Sequence, residues 1–364
     1  MRSVRISIFV TVATLVAIGI VMIYSASAIY ADTTMKDSMY FLKRHMVYVA
    51  IGFTLMILAM FADLSKLRAW VKPIMLVAIA LLVLVLVPHI GRETSGARRW
   101  FRLGMINFQP SEFVKIAIIL YMADFISRKE AVIKTFRYGY LPAMAVLGLT
   151  VGLVLVEPDL GTAVTISVIT VLMLFAGGLR PAYIMASLFA SLPVLYALLF
   201  RISYRRKRMM AFLNPWADRR GTGFQIIQSF VALGSGGLFG VGLGQSRQKL
   251  FYLPASHTDF IFSIIGEELG FIGTASVVVL FGIFIWQGMK IVFKALGTFE
   301  RMVSLGIVSL IGLEAIINIG VTAGALPTKG LPLPFISYGG TGLAFHLMAV
   351  GILLNIARTC ESSI

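Results

Sequence analysis

The run SIFVTVATLVAIGIVMIYSASAIY, residues 7–30, decides the fold class. It contains no charged side chain, and roughly 20 consecutive apolar residues in a helix are enough to cross the hydrocarbon core of a bilayer. The run is too long for the apolar core of a signal peptide. It therefore predicts a retained helix that spans a membrane.

Nine further apolar runs follow the first one. We therefore predict an all-α, polytopic integral membrane protein with ten transmembrane helices. The ten predicted spans are residues 7–30, 46–61, 73–90, 113–126, 140–156, 162–176, 182–200, 262–289, 302–326 and 340–356. We expect a single membrane domain, residues 1–364, with a long extracytoplasmic loop at 201–260 between spans seven and eight. An even number of spans places both termini on one side.

The composition supports this class. Of 364 residues, 59% are hydrophobic and 13% charged, whereas soluble domains carry about 25% charged residues. The chain has 32 Lys and Arg against 16 Asp and Glu, a formal charge of +16. Basicity can indicate nucleic acid binding, but sparse charges between apolar runs favour a membrane. The single cysteine, Cys360, excludes an intramolecular disulfide framework and a cysteine-based metal site.

The basic residues leave the orientation open at first. With cytoplasmic termini, 14 of the 32 cations lie inside and 18 outside, which favours the reverse orientation. The positive-inside rule applies to short loops, however. Without the two long loops after spans three and seven, the count becomes 14 inside against 4 outside. This favours cytoplasmic termini.

The two long loops share one face of the membrane and carry 14 cations, if Lys115 at the start of span four is counted with the first of them. The guanidinium group of an arginine can donate hydrogen bonds to two phosphate oxygens at once, so an anionic ligand such as a phosphate is one interpretation. Contact with lipid headgroups or a reversed orientation are the alternatives. Composition alone does not choose between them.

The loop after span three combines arginines with aromatic residues, including Arg98, Arg99 and Trp100. A proline, a serine and Glu112 then predict a helix start, and Lys115 follows on the same helical face. An ionisable pair at this depth indicates a functional site. The alternative is a structural ion pair that fixes the helix.

The loop after span seven contains the glycine-rich run LGSGGLFGVGLG, residues 233–244. A nucleotide-binding loop needs a strand before it and a helix after it. Neither is predicted here. We expect close backbone packing, or a re-entrant loop that lines a cavity.

His257, Thr258 and Asp259 stand at the entrance to span eight. A carboxylate beside a basic loop suits a general base that deprotonates a hydroxyl, with the anionic leaving group held by cations. An N-cap of span eight is the alternative for Asp259. Glu267 and Glu268, farther along, are candidates for a proton relay or for a structural role.

Other polar residues in apolar surroundings are Glu157, Asp159, Glu314 and Asn318. A buried carboxylate such as Glu314 is a feature of ion-coupled transporters. Such transporters also have broken helices in two related halves. No such repeat is evident in this sequence.

Eight segments together resemble the SEDS family (shape, elongation, division and sporulation), and the FtsW and SpoVE branches more than RodA. They occur in the family's order and extend from one end of the chain to the other. The segments are YSAS (24–27), GARRW (96–100), FQPSE (108–112), EPDLGT (157–162), GTGFQIIQSFVALGSGGLFGVGLGQSRQKLFYLP (221–254), HTDFIF (257–262), GEELG (266–270) and LPTKGLPLPFISYGG (326–340).

The resemblance implies a peptidoglycan glycosyltransferase that polymerises lipid II on the outer face of the bacterial cytoplasmic membrane. It implies ten spans, cytoplasmic termini and a class B penicillin-binding protein as partner, in contact with membrane lipids and without nucleic acid. The substrates would be lipid II and an undecaprenyl-pyrophosphate-linked glycan. Their pyrophosphates are the anions that the basic outer loops would bind.

The resemblance also implies roles for individual residues. Asp259 would be the catalytic base, and Arg98, Arg99 and Lys249 would stabilise the leaving pyrophosphate. No cofactor is certain, and a divalent cation, Mg²⁺ or Mn²⁺, is left open. The remaining expected substrate-binding residues are Trp100, Gln109, Glu112, Lys115, Asp159, His257 and Thr258.

The sequence departs from the family at Ala255, where a glutamate is common. Two other functions stay open beside the polymerase. A lipid II flippase would need a charged path on both faces, whereas the unusual charge here lies on one. A non-catalytic scaffold for the transpeptidase is the third hypothesis.

Overall fold

The computed structural model describes residues 1–94, 97–104, 106–250, 252–328 and 330–362. Gly96, Phe251 and Lys329, from three of the quoted segments, lie outside the described residues. The described chain is mostly helical. Its α-helices are α1 Arg2–Met35, α2 Tyr40–Phe61, α3 Leu64–Ala69, α4 Val71–Leu86, α5 Pro110–Lys129, α6 Leu141–Val156, α7 Leu160–Ala176, α8 Pro181–Tyr196, α9 Ser203–Leu213, α10 Phe224–Ser235, α11 Ile261–Lys294, α12 Thr298–Thr322 and α13 Thr341–Ser362.

Within the described residues, seven helical segments are long and apolar enough to cross a membrane: Arg2–Met35, Tyr40–Phe61, Phe136–Val156, Pro181–Arg201, Ile261–Lys294, Thr298–Thr322 and Thr341–Glu361. Three shorter apolar helices are Val71–Leu86, Leu160–Ala176 and Phe224–Ser235. Helix α5 has 20 residues but carries charged side chains at both ends, including Glu112 and Lys129. The chain is a multi-pass membrane protein.

The loop after α4 contains a small sheet that the all-α prediction lacks. Strands β1 Arg92–Thr94, β2 Ala97–Leu103 and β3 Ile106–Phe108 pair antiparallel in that order. The turn between β2 and β3 uses Gly104 at φ 61°, a backbone conformation that glycine adopts without a steric penalty. The sheet ends two residues before α5 begins, so it fixes where that helix starts.

Helix α12 lies at the centre of the bundle and packs against α5, α7, α11 and α13. Helices α2 and α13 also form a close pair. A Cβ added at Gly351 of α13 would lie 2.3 Å from the Met56 carbonyl oxygen of α2. Small residues allow helix backbones to approach this closely. Helix α8, in contrast, has no buried residue.

Helix α10 of the 201–260 loop packs alongside α11. Ser229 Oγ lies 2.6 Å from Ser263 Oγ and donates a 2.7 Å hydrogen bond to the Thr322 carbonyl. The glycine-rich run follows α10, and a Cβ at Gly236 would lie 1.9 Å from the Gly266 carbonyl oxygen. The prediction of close backbone packing for this run is therefore confirmed.

Helix α11 is interrupted at Gly270, which has φ 68° and ψ −164°. The backbone groups around the break bond to the glycine-rich run instead. Val241 N donates to the Glu267 carbonyl at 2.9 Å, and Phe271 N donates to the Gly237 carbonyl at 2.9 Å. The run thus satisfies backbone groups that a continuous helix would pair internally.

Candidate active site

A cavity of about 480 Å³ lies where the β-sheet, the start of α5, the α6–α7 turn and the segment before α11 meet. Seven of the residues singled out from the sequence line it: Arg99, Trp100, Gln109, Glu112, Asp159, Thr258 and Asp259. These residues are up to 160 positions apart in the chain. The fold therefore brings most of the predicted site into one place.

The segment 257–259 is held by backbone contacts from two directions. Asn318 of α12 donates through Nδ2 to the Asp259 carbonyl at 2.9 Å and to the Leu331 carbonyl at 2.8 Å. Ser337 Oγ donates to the Thr258 carbonyl at 2.6 Å, and Tyr338 N donates to the His257 carbonyl at 3.0 Å. These contacts fix the position of Asp259 without occupying its carboxylate.

Asp259 does not cap α11. The N-cap position is Phe260, and no side chain caps this helix end. Within the described residues, the Asp259 carboxylate accepts no hydrogen bond. Burial raises the pKa of Asp259 to about 6, the positive charge of Arg208 opposes this rise, and the negative charge of Asp159 adds to it. A free carboxylate with a raised pKa is suited to accept a proton.

Arg99 and Asp159 hold the α6–α7 turn at the cavity wall. Arg99 donates through Nε to the Glu157 carbonyl at 2.8 Å and through a terminal nitrogen to the Pro158 carbonyl at 2.7 Å. Asp159 caps α7 by accepting hydrogen bonds from Thr162 N at 3.1 Å and Thr162 Oγ1 at 3.0 Å. Glu157 is buried, and burial raises its pKa to about 8.

Behind the cavity wall, four buried ionisable side chains form a chain of contacts, called here the buried quartet. Lys115 Nζ lies 2.8 Å from Glu112 Oε2 and 2.5 Å from Glu314 Oε1. Glu314 Oε2 lies 2.7 Å from His346 Nε2. The quartet connects α5, α12 and α13, and only Glu112 reaches the cavity. The predicted Glu112–Lys115 pair is thus part of a larger structural network.

Three further predicted residues do not line the cavity. Lys249 is buried, and its Nζ lies 2.8 Å from Glu268 Oε1 and 3.1 Å from Ser25 Oγ. His257 packs among Tyr30, Phe41 and Tyr338, and burial lowers its pKa to about 4. Arg98 lies on β2 opposite Glu93.

Glu267 and Glu268 have structural contacts. Glu267 accepts hydrogen bonds from Arg247 N at 2.9 Å and from Ser246 Oγ, and Glu268 pairs with Lys249. These bonds attach the segment before Asp259 to α11. The contacts favour the structural role over the proton relay.

Several residues that line the cavity or position its walls were not predicted from the sequence to belong to the site. Tyr48, Arg92, Asn107 and Thr162 line the cavity, and His346 completes the buried quartet. The Tyr48 hydroxyl accepts a 2.8 Å hydrogen bond from Asn107 N, which connects α2 to β3. No local pattern marks a lone tyrosine or asparagine as a site residue, so only the fold reveals them.

A resident divalent cation would need a cluster of donor side chains in or near the cavity. Across the part of the chain that the structure describes, no three His, Cys, Asp or Glu side chains come together as a metal site. Protein-held divalent cations need several oxygen ligands. The described residues therefore do not fit a metal held by the protein alone.

The comparisons with known proteins agree with this geometry. The family model described as "Cell cycle protein", FTSW_RODA_SPOVE, matches residues 5–362. A probable peptidoglycan glycosyltransferase FtsW from Geobacter metallireducens is 46% identical over 96% of this chain and 93% of its own length. Stage V sporulation protein E from Bacillus subtilis is 44% identical over 94% of each chain.

Solved structures give the same result. A chain from a peptidoglycan synthase complex, described as coordinating polymerisation and crosslinking, superposes with a TM-score of 0.80 at 30% identity and 97% coverage of both chains. Thermus thermophilus rod shape determining protein RodA superposes with a TM-score of 0.71 at 28% identity, covering 96% of this chain and 95% of RodA. The chain therefore belongs to the FtsW, RodA and SpoVE family of cell cycle proteins, as its sequence motifs predict.

Proposed function

We propose that this protein is a peptidoglycan glycosyltransferase that polymerises lipid II into glycan strands on the outer face of the bacterial cytoplasmic membrane. The observation that carries the proposal is the cavity that joins the free carboxylate of Asp259 to the arginine and aromatic residues of β2. Relatives that match nearly the whole chain are named as probable glycosyltransferases of this kind.

In this proposal, residues 1–364 form one membrane domain. The ten spans are helices α1, α2, α4, α5, α6, α7, α8, α11, α12 and α13. Both termini lie in the cytoplasm, and residues 201–260 form the long extracytoplasmic loop. Helices α4 and α7, with 16 and 17 residues, are short enough that the bilayer would thin locally around them. Helix α10, packed beside α11, would enter the outer leaflet from the same side as Asp259.

Asp259 acts as the general base. Its carboxylate removes the proton from the GlcNAc 4-hydroxyl of the acceptor as that oxygen bonds to the anomeric carbon of the donor glycan. The bond from that carbon to the pyrophosphate breaks, and the pyrophosphate leaves with the electron pair. Attack opposite the leaving group inverts the anomeric configuration. Because no hydrogen bond occupies the carboxylate, it can accept this proton.

Arg99 and the neighbouring Trp100, which both line the cavity, hold the departing pyrophosphate of the donor. Charge-assisted hydrogen bonds to the leaving group lower the barrier when they are in place before the reaction. Gln109, Glu112, Asp159 and Thr258 contact the sugars. Lys115 acts by positioning Glu112, and His257 and Lys249 act by holding the segment that ends in Asp259. No step of this mechanism requires a metal.

A class B penicillin-binding protein would crosslink the strands that this chain produces. The support is that the solved structure with the TM-score of 0.80 comes from a complex described as a peptidoglycan synthase.

The function is tested by giving lipid II to the purified protein, with and without its transpeptidase partner, and separating the products by size. We expect glycan strands several disaccharides long. A parallel assay with labelled lipid II in sealed liposomes measures transfer between leaflets. Transfer of lipid II without polymer would contradict the proposal and favour a flippase. If neither transfer nor polymer is observed while the transpeptidase partner is active, the result would favour a scaffold.

A further inference from the structure

A second cavity, of about 740 Å³, lies in the 201–260 loop outside the Asp259 cavity. Its walls come from α9, the turn after it, the start of α10 and Pro254. Four cationic side chains line it: Arg206, Lys207, Arg208 and Arg220. We call it the basic cavity. The mechanism above does not use any of these four side chains.

The described lining of the basic cavity has an excess of positive charge, with four cations against one carboxylate. Its one lining carboxylate, Asp218, accepts hydrogen bonds from Thr222 N at 2.8 Å and Thr222 Oγ1 at 3.0 Å within its own turn. Among the residues that the structure describes, none of the four cations forms an ion pair. Lys249 of the same loop, in contrast, is paired with Glu268.

Arg208 is oriented by its neighbour. Its guanidinium lies over the Tyr204 ring, 4.6 Å from the ring centroid. Stacking occupies the face of the guanidinium and leaves the N–H groups at its edge free for phosphate oxygens. Tyr204 and Met210, which also line the cavity, are 57% and 50% exposed. An anion with an attached apolar chain would meet both kinds of surface here.

The Asp259 cavity is a poor place for a second anion. Its described lining has two arginines, Arg92 and Arg99, against three carboxylates, Glu112, Asp159 and Asp259. Polymerisation joins two lipid-linked sugars, each with its own diphosphate. In the acceptor, the attacking hydroxyl and the diphosphate are at opposite ends of a disaccharide. Its diphosphate must therefore bind at a distance from Asp259.

The basic cavity is adjacent to Asp259 without including it. Pro254, which lines the cavity, is five residues before Asp259. The positive charge of Arg208 acts on the Asp259 carboxylate and lowers its pKa against the effect of burial. A ligand anchored at Arg208 can thus extend toward the base.

We propose that the basic cavity binds the diphosphate of the acceptor polyprenyl-linked sugar, as a second anion site separate from the Asp259 cavity. This inference rests on the proposed function. It assigns Arg206, Lys207, Arg208 and Arg220 to acceptor binding, and it leaves the donor diphosphate with Arg99. Two separated anion sites keep the two lipid-linked substrates apart until their reacting ends meet at Asp259.

Binding of farnesyl diphosphate to the full chain tests the proposal. The protein is placed in nanodiscs of phosphatidylcholine, which has no net charge, and affinity is measured by calorimetry. The wild type should show two binding sites for farnesyl diphosphate. The double variant Arg206→Gln with Arg208→Gln should weaken one of them at least about tenfold and leave the other unchanged, since the anion in the basic cavity loses charge-assisted hydrogen bonds from two side chains. The control, Arg201→Gln with Arg219→Gln, removes the same charge from loop positions outside the cavity lining and should change affinity less than about twofold. Equal losses in both variants, or no loss in the first, would overturn the proposal.

A second arm separates a polyprenyl diphosphate from a phospholipid headgroup, because both present phosphate. Replacing a fraction of the phosphatidylcholine in the nanodiscs by anionic phosphatidylglycerol should leave the affinity for farnesyl diphosphate nearly unchanged. Displacement by phosphatidylglycerol would show a headgroup site and overturn the assignment to an acceptor.

A third arm separates this inference from the proposed function. At about pH 8, where Asp259 is ionised in both proteins, the Arg206→Gln, Arg208→Gln variant should raise the KM for lipid II about tenfold with little change in kcat, since it removes a binding contact and leaves the base in its active form. A lower kcat at unchanged KM would contradict acceptor binding. Asp259→Asn should still bind farnesyl diphosphate. Loss of polymerisation and loss of anion binding in the basic cavity can therefore be measured separately.

Discussion

Asp259 combines a fixed backbone with an unoccupied carboxylate. Its carbonyl accepts a hydrogen bond from Asn318, and its neighbours Thr258 and His257 are bonded through their carbonyls to the 337–338 segment. A base held in this way loses little entropy when the substrate arrives. Its protonation state then controls whether it can act.

The pH dependence of polymerisation should follow the Asp259 carboxyl. Burial raises its pKa to about 6 from 3.8, so the active carboxylate form is lost as the pH falls through about 6. We expect kcat/KM to be nearly constant above pH 7 and to fall about tenfold per unit below pH 6. In Arg208→Gln, which removes a charge that lowers this pKa, the fall should begin at higher pH. A profile that is flat down to pH 4.5 would contradict the base assignment.

Substitutions in the buried quartet should destabilise the protein to different extents. Lys115→Met leaves Glu112 and Glu314 without their shared cation, and breaking such buried pairs costs about 3 to 5 kcal/mol. Glu314→Gln leaves the Glu112–Lys115 pair intact, so it should destabilise less. The double variant Lys115→Met with Glu314→Gln should recover part of the loss. Thermal denaturation in detergent measures all three, and a larger effect of Glu314→Gln than of Lys115→Met would contradict this account.

At this scale the sequence predicted which residues come together in the cavity better than it predicted the contacts of the other site residues. Asp259, Glu112 and Arg99 stand in recognisable segments, and all three line the cavity. Lys249 was expected at the pyrophosphate because the sequence does not reveal that Glu268, 19 residues later, lies beside it. His346 and Asn318 act through contacts between distant helices, which no local pattern encodes.

Ala255 is the residue-level departure from the family, and the structure gives it an unusual backbone. Its φ is 57°, in the left-handed region that costs an alanine about 1 to 2 kcal/mol. Its carbonyl accepts hydrogen bonds from Thr258 N at 3.1 Å and Phe260 N at 3.3 Å. The strained turn thus directs the chain from Pro254 toward Asp259.

At the scale of elements, each of the ten predicted spans overlaps a helix, and seven helical segments of the described chain are long and apolar enough to cross a membrane. The loops contain structure that the sequence did not predict. Apolar length alone predicts a helix such as α1 or α12. The β-sheet at 92–108 depends on pairing between short strands, and the break at Gly270 depends on a glycine-rich run about 30 residues earlier. Both are non-local, so hydrophobic periodicity does not predict them.

The α2–α13 contact can be tested with one methyl group. Gly351→Ala would place a Cβ 2.3 Å from the Met56 carbonyl oxygen, and relieving such overpacking costs about 1 to 3 kcal/mol. Gly282→Ala in α11 is the matched control, because its Cβ would meet no atom within 4 Å. We expect a clear drop in the thermal midpoint for Gly351→Ala alone. Equal midpoints for the two variants would show that the helices are not in close contact.

At the scale of the whole molecule, the structure shows where the excess basic residues lie. The basic residues of the two long loops border two cavities, and one of these contains Asp259. Composition left an anionic ligand as one interpretation, beside lipid headgroups and a reversed orientation, and it did not indicate two separate cavities. Their separation arises from the folding of the 201–260 loop into α9 and α10.

The proposed orientation predicts which positions a membrane-impermeant maleimide reaches in intact cells. Cys360→Ser removes the single native thiol. In that background, Ala217→Cys in the 201–260 loop should be labelled, and Ala131→Cys between α5 and α6 should not. Both positions are exposed on the protein, so accessibility from outside the cell determines the result. Labelling of Ala131→Cys alone would reverse the topology and exclude an extracytoplasmic active site.

The central claim is that Asp259 is the base of a polymerase, and the most direct measurement is glycan formation from purified lipid II by Asp259→Asn. The amide preserves size and cannot accept the proton. We expect the variant to fold with an unchanged thermal midpoint and to form less than about one hundredth of the wild-type polymer. Asp37→Asn, which changes an exposed carboxylate paired with Lys43, should polymerise normally. Undiminished polymer from Asp259→Asn would contradict the account.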